Sequence, residues 1–307
     1  MIVFLGIVVL VLLFLVSIYV LYHEVFCHPL RKRREVHEIP DSDIYRMHKE
    51  KMLACIADME RTPHEEVSIV SADGLRLCGH LYQMREGAPL VIFFHGYHGV
   101  YAWDGYGFFK ICKKNGYNIL LIDERAHGKS EGNVITFGIK ERHDCKLWVE
   151  YALERFGAHS GIFLAGVSMG AATVMMASEL ELPENVKAII ADCGYSEPAE
   201  IIRETMRKMG LPDRMLYPFI RLGARLFGRF DLEEASPLQA VRKLNIPILF
   251  IQGDLDDIVP VAMGEELYAA CVSEKERLLV AGAGHANSAM TGFEDYEGAV
   301  MRLLGKN

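Results

Sequence analysis

The sequence predicts an α/β protein built on a mostly parallel sheet with helices on both faces. Three observations carry this expectation. Short apolar runs alternate with helix-spaced stretches along most of the chain, and strands joined through helices must pair parallel. Residues 161–172 read Gly-Ile-Phe-Leu-Ala-Gly-Val-Ser-Met-Gly-Ala-Ala, an apolar strand that bends at once into a helix. Hydrophobic residues make up 51% of 307, enough for a large core.

The elements follow in order. Residues 2–22 carry no ionised side chain, and at 1.5 Å per residue such a helix spans about 31 Å, the thickness of a bilayer's hydrocarbon layer. No Lys or Arg precedes the run, no small-x-small site follows it, and Tyr19, Tyr22 and the cluster Arg31-Lys32-Arg33-Arg34 flank its end. These features favour a single-pass anchor over a cleaved signal peptide, with the following domain on the cytoplasmic side. The expected organisation is a transmembrane anchor over 1–23, a basic and helical linker over 24–64, and a folded domain over 65–307. Within the linker, residues 41–60 predict a helix, with Ile44, Met47, Met52, Ile56 and Met59 packing loosely on the domain.

Asp73-Gly74 between residues 67–71 and 75–83 marks a hairpin. Strands are expected at 90–94, 118–122, 162–167, 186–191, 246–251 and 276–280, with helices over 103–115, 137–156 and 287–304 between or after them. Residues 195–232 interrupt the rhythm. This long, helix-prone insertion carries Arg214, Arg221, Arg225 and Arg229 among apolar residues, and is expected to form a cap, either an amphipathic helix pair shielding the core or a lid lining an apolar acyl pocket. Net charge of −8 argues against nucleic acid as a partner, and seven scattered cysteines without C-x-x-C spacing suggest neither a disulfide framework nor a zinc site. Oligomeric state is not legible.

The chemistry centres on Gly166-Val-Ser168-Met-Gly170. A strand reversing into a helix within about five residues strains the turn residue, lifts its hydroxyl clear and aims the next amide, Met169 N–H, at the same spot. A serine needs a base, and where the triad runs in the chain order Ser…acid…His that base follows the serine, which leaves His285 as the one candidate among twelve histidines. The imidazole needs a carboxylate. Gly253-Asp254-Leu-Asp256-Asp257-Ile-Val-Pro260 offers three, of which the pattern favours Asp256, with Asp254 and Asp257 as alternatives. A second oxyanion amide is sought in the loop His95-Gly-Tyr-His-Gly99, where Tyr97 N–H is the best placed. His95 and His98 read as loop-shaping side chains. Asp123 and His127 look like a second acid–histidine pair but precede the serine, so bracing of neighbouring loops is expected of them.

These motifs (His95-Gly96, Asp123-x-Arg125-x-His127-Gly128-x-Ser130, Gly166-x-Ser168-x-Gly170, Gly253-x-x-Asp256-x-x-Val259-Pro260 and Gly284-His285) resemble those of the α/β-hydrolase superfamily. Within it the chain is most similar to serine-aminopeptidase-like and Bem46-like hydrolases, departing at Ala126, where glycine is usual. The resemblance covers residues 65–304 and implies the α/β-hydrolase fold: eight strands, mostly parallel, with a helical cap after the sixth. It implies hydrolysis of carboxylic esters, thioesters, lipids or small amides. The expected activity is that of a serine esterase or lipase acting on an acyl ester or lipid without a cofactor. A peptidase or thioesterase is the alternative, and a non-catalytic tethered binding module the reading from another class.

Overall fold

The structure, a computed structural model, describes residues 1–39, 43–157 and 160–305. The strands are β1 (Glu65–Val70), β2 (Arg76–Tyr82), β3 (Leu90–Phe94), β4 (Asn118–Asp123), β5 (Ile162–Val167), β6 (Val186–Asp192), β7 (Ile248–Gly253) and β8 (Lys275–Val280). They form one sheet in the order β1-β2-β4-β3-β5-β6-β7-β8. The two pairings made by β2 are antiparallel and every other pairing is parallel. The hairpin turns at Gly74, whose φ of 86° a residue with a Cβ rarely adopts. From β3 onward, helical crossovers force parallel neighbours.

β3 lies between β4 and β5, so the chain leaves its carboxyl end toward one side and returns on the other. Such a switch point leaves a crevice beyond the strand ends. The register aligns Phe94 with Gly166, which brings the ends of β3 and β5 level. Every residue of β3, β4 and β5 is buried. One face of the sheet is covered by a cluster including Trp103, Phe109, Phe163 and Tyr296, the other by one including Trp148, Val174, Met175 and Phe250.

The structured body reaches further back than residue 65. The helix Lys49–Arg61 buries Met52, Ile56 and Met59 completely, in the same cluster as Phe109. Their i, i+4, i+7 spacing puts all three on one stripe, and Lys113 Nζ lies 2.8 Å from the Asp58 carboxylate. The loose packing expected of this helix is therefore corrected to core packing. Asp41, at the expected start of that helix, lies outside the described residues, as do the last two residues of the chain.

At the N-terminus, Ile2–Phe26 is one helix, long and apolar enough to cross a membrane. Residues 3–17 are exposed, whereas Ile18, Tyr22 and Phe26 are buried. The buried side chains meet the cap, formed by the helices Pro198–Lys208 and Asp213–Gly223 and a π turn, Ala224–Gly228. Gly223 permits the crossing, since a Cβ there would lie 2.8 Å from Tyr22 Cβ and 3.2 Å from the Ile18 carbonyl. Asp231 ties the cap together by accepting from Arg221 Nε at 2.9 Å and Arg225 Nε at 3.1 Å. Phe26, Phe137, Tyr195, Ile202, Met206 and Phe230 form one apolar cluster, so N-terminal helix side chains fill space that the sequence assigns to an acyl pocket.

Truncating a buried stripe residue tests how the helix Lys49–Arg61 is held. Ile56→Ala should lower unfolding stability by about 2–5 kcal/mol, read from denaturant melts of the detergent-solubilised protein. A loosely attached spacer would give less than about 0.5 kcal/mol.

Candidate active site

Ser168 sits between β5 and the helix Met169–Ala177 with φ 55° and ψ −113°, a backbone region costly for a residue with a Cβ. Two glycines make the turn possible. A Cβ on Gly170 would lie 2.0 Å from the Phe94 carbonyl oxygen, and one on Gly166 would lie 2.3 Å from the Gly170 backbone. Ser168 N–H donates to the Asp192 carbonyl at 2.8 Å, locking the elbow to β6.

The structure brings the three expected side chains together. His285 Nε2 lies 3.0 Å from Ser168 Oγ, and His285 Nδ1 lies 2.9 Å and 3.0 Å from the two Asp256 oxygens. With Nδ1–H turned to the carboxylate, Nε2 is left to accept from the serine hydroxyl. Asp256 Oδ1 also accepts from Ile258 N–H at 3.0 Å and Val259 N–H at 2.9 Å. Of the three candidate acids only this one reaches the imidazole. Asp254 accepts from Gly282 N–H at 2.6 Å, bracing the loop that leads to His285, and Asp257 is exposed.

Met169 opens a helix, so its amide is among the first four that lack an intrahelical acceptor. In the loop after β3, Gly96 N–H donates to Asp104 Oδ2 at 2.7 Å, His98 N–H to His127 Nε2 at 3.1 Å, and Gly99 N–H to the Gly96 carbonyl at 2.9 Å. Tyr97 N–H, between them, has no acceptor among the described residues. The loop lies against the nucleophile candidate: a Cβ on Gly96 would be 3.3 Å from Ser168 Cβ.

Asp123 and His127 do not pair. Asp123 accepts from Lys129 N–H at 2.9 Å, whereas His127 reaches the Arg125 carbonyl and His98. Each braces a different loop. His95 spans from the Gly96 carbonyl to Glu124 N–H, which shapes the turn as expected. Sequence reasoning missed Asp104 and Asp192. Asp192 ends β6 beneath the site and accepts from Ser288 Oγ at 3.2 Å; its place at a strand end was the available signal. Asp104 stands in no motif. Cys193, Asp256 and His285 offer ligand atoms within 4.8 Å of one another. Both imidazole nitrogens are already engaged, however, and burial pushes the Cys193 thiol well above its ordinary value.

The alpha/beta hydrolase fold family matches residues 89–222. Together with the strand order and the elbow, this shows the α/β-hydrolase fold. The chain is similar to the uncharacterised protein YqkD of Bacillus subtilis, 29% identical over 190 residues that cover 62% of each chain. It is also similar to the protein bem46 of Schizosaccharomyces pombe, 26% identical over 52% of this chain and 48% of that one. The matched stretch thus spans between about half and three fifths of these relatives' own lengths. Among solved structures, the Pyrococcus furiosus esterase Pf2001 superposes with a TM-score of 0.67 at 25% identity, covering 81% of this chain and 93% of that one.

Asp192 gives the site a pH signature. Burial raises its pKa from 3.8 to about 6, against hydrogen bonds from Tyr296 and Ser288 that lower it. A carboxyl whose folded pKa is raised favours the folded state while protonated, and that contribution is lost as pH rises from about 4 through 6. Ionising it costs on the order of 3 kcal/mol. Asp192→Asn should therefore raise the melting temperature relative to wild type more at pH 8 than at pH 4. An equal shift at both pH values would contradict the assignment.

Proposed function

We propose that this protein is a membrane-anchored serine hydrolase that cleaves a carboxylic acyl ester, with an esterase- or lipase-like preference. The observation that carries the reading is the unbroken chain from Ser168 Oγ to His285 at 3.0 Å and from His285 to Asp256 at 2.9 Å. In this reading His285 Nε2 takes the hydroxyl proton as Ser168 attacks the ester carbonyl, and Asp256 steadies the imidazolium that forms. The amides of Tyr97 and Met169 hold the oxyanion. His285 then protonates the leaving alcohol, the acyl group stays on Ser168, and water activated by the same imidazole releases it. The sequence of steps needs no cofactor.

The N-terminal helix supports the membrane part of the proposal. Its exposed apolar side chains at residues 3–16 suit acyl chains, while Ile18, Tyr22 and Phe26 are packed into the body. Removing this helix as a signal sequence would strip those buried side chains from the cap. Arg31, Lys32 and Arg34 are exposed at its C-terminal flank, which favours a cytoplasmic catalytic body. The cap packs on this helix, with Phe14 and Phe219 rings 5.8 Å apart and Tyr19 and Phe227 5.2 Å apart. An active site covered by such a cap would meet substrates dissolved in, or lying on, the bilayer.

Labelling with a fluorophosphonate tests the chemistry. The wild type should take one label per chain and Ser168→Ala none, with turnover lowered about 10⁴- to 10⁶-fold in the alanine variant and about 10⁴-fold in Asp256→Asn. A panel of p-nitrophenyl esters from acetate to palmitate, with a thioester and an aminoacyl amide, should show highest kcat/KM on the longer esters. Preference for the amide or thioester would replace the esterase reading with a peptidase or thioesterase.

A further inference from the structure

We propose that residues 25–33, the end of the N-terminal helix and the strap that follows it, hold the oxyanion loop in register. Tyr97 is then a positioning residue through its phenol as well as a donor through its amide. The inference rests on the serine-hydrolase reading above and deepens it.

The contacts come from two sides. Tyr97 Oη donates to the Val25 carbonyl at 2.9 Å. That carbonyl lies in the last turn of the helix Ile2–Phe26, where oxygens have no intrahelical donor. The Tyr97 ring stacks on Phe137 at 5.0 Å, and Phe137 meets Phe26 edge-on at 5.9 Å. On the other side, the His98 ring lies 3.9 Å from Tyr97 and 4.3 Å from His28. His28 is itself fixed: its backbone N–H donates to the Asn133 carbonyl at 2.8 Å, and its Nδ1 lies 2.9 Å from the Ala126 carbonyl. Arg33 seals the strap by donating to the Gly128 carbonyl at 2.9 Å and pairing with those of Ser130 and Gly132.

The stack suits a neutral state. Burial pushes the His98 pKa down to about 3, and also lowers those of His28 and His127. Uncharged rings can pack face to face without repulsion. Hydrogen bonds fix the peptide planes on either side of Tyr97, through Gly96 N–H and His98 N–H. The phenol bond to Val25 adds a third point, so the Tyr97 amide is aimed from three directions. Oxyanion donors act through placement, and a displacement of about 1 Å can cost on the order of a hundredfold in rate. A loop held from outside the hydrolase sheet would thereby link the seating of the N-terminal helix to the reactivity of Ser168.

The experiment uses the full chain in detergent micelles. Tyr97→Phe deletes one oxygen and leaves the ring in its stack. It should lower kcat about tenfold with KM within about twofold. Affinity for an alkyl trifluoromethyl ketone, whose adduct with Ser168 presents an oxyanion, should fall in parallel. End-point fluorophosphonate labelling should remain at one per chain. His28→Ala should act the same way, and His28→Asn, which can still donate to the Ala126 carbonyl, should recover part of the loss. A labelled Tyr97→Phe protein whose kcat and ketone affinity stay within twofold of wild type overturns the brace alone. A wild type that takes no label overturns the hydrolase reading and the brace with it. If Tyr97→Phe does not fold, the His28 pair decides: equal kcat in the alanine, asparagine and wild-type proteins overturns the proposal.

Discussion

The helix Met169–Ala177 can leave β5 where it does only because its first turn lies on the backbone of β3. Gly170 faces the Phe94 carbonyl at a distance that no side chain could share, and Gly166 gives the turn the same clearance from below. This single close approach fixes three things together. It forces Ser168 into a positive-φ conformation. It starts a helix whose first amide lacks an intrahelical partner. It also brings the loop after β3 against Ser168, at the switch point where the sheet opens. A nucleophile candidate and two amide donors converge through backbone geometry, before any catalytic side chain is considered.

The candidate acid and base, Asp256 and His285, arrive from the other half of the sheet, on loops after β7 and β8 that are tied together by Asp254 and the Gly282 amide. Both groups are nearly inaccessible to water. In such surroundings a hydrogen bond to a carboxylate gains strength, and an unpaired polar group is costly. The Asp256 carboxylate is accordingly held by two backbone amides as well as the imidazole. Asp192 beneath it follows the opposite rule. Burial raises its pKa, only partly offset by hydrogen bonds from Tyr296 and Ser288, so it ionises less readily than an exposed carboxylate.

How much of this was legible in the sequence depends on the range of the contact. The elbow is local, since spacing alone demands small residues at positions 166 and 170. His285 could be reached by elimination because chain order limits where the base can stand. Choosing among Asp254, Asp256 and Asp257 needed distances, for all three share one turn and differ only in where it points them. Contacts made by residues 18–39 were not legible. Arg33 reads as one of four membrane-flanking cations, yet it sits among the carbonyls of a loop about a hundred residues away. His28 belongs to no motif at all. Likewise, Met52, Ile56 and Met59 form a helical stripe whose spacing shows that it has an apolar face, not how firmly that face is covered.

The N-terminal helix and the cap constrain each other, and this bears on how the proposed enzyme would meet a lipid. Exposed Met215, Leu226 and Phe227 lie on the cap elements that pack against the helix, and at most a few kcal/mol each would be gained by burying them in acyl chains. Fifteen exposed residues at 3–17 of the helix outweigh that contribution. Membrane residence would therefore be set by the helix, whereas the cap's side chains would govern tilt. Gly223 allows too close a crossing for the two to slide freely, and Phe26 and Tyr22 lock the same helix to the cluster beside the loop after β3. A tilt of the body relative to the bilayer would thus be transmitted through packed aromatic rings rather than absorbed by a flexible linker. In a protein arranged this way, the surface that would face a membrane and the residues that surround Ser168 would form one mechanical unit.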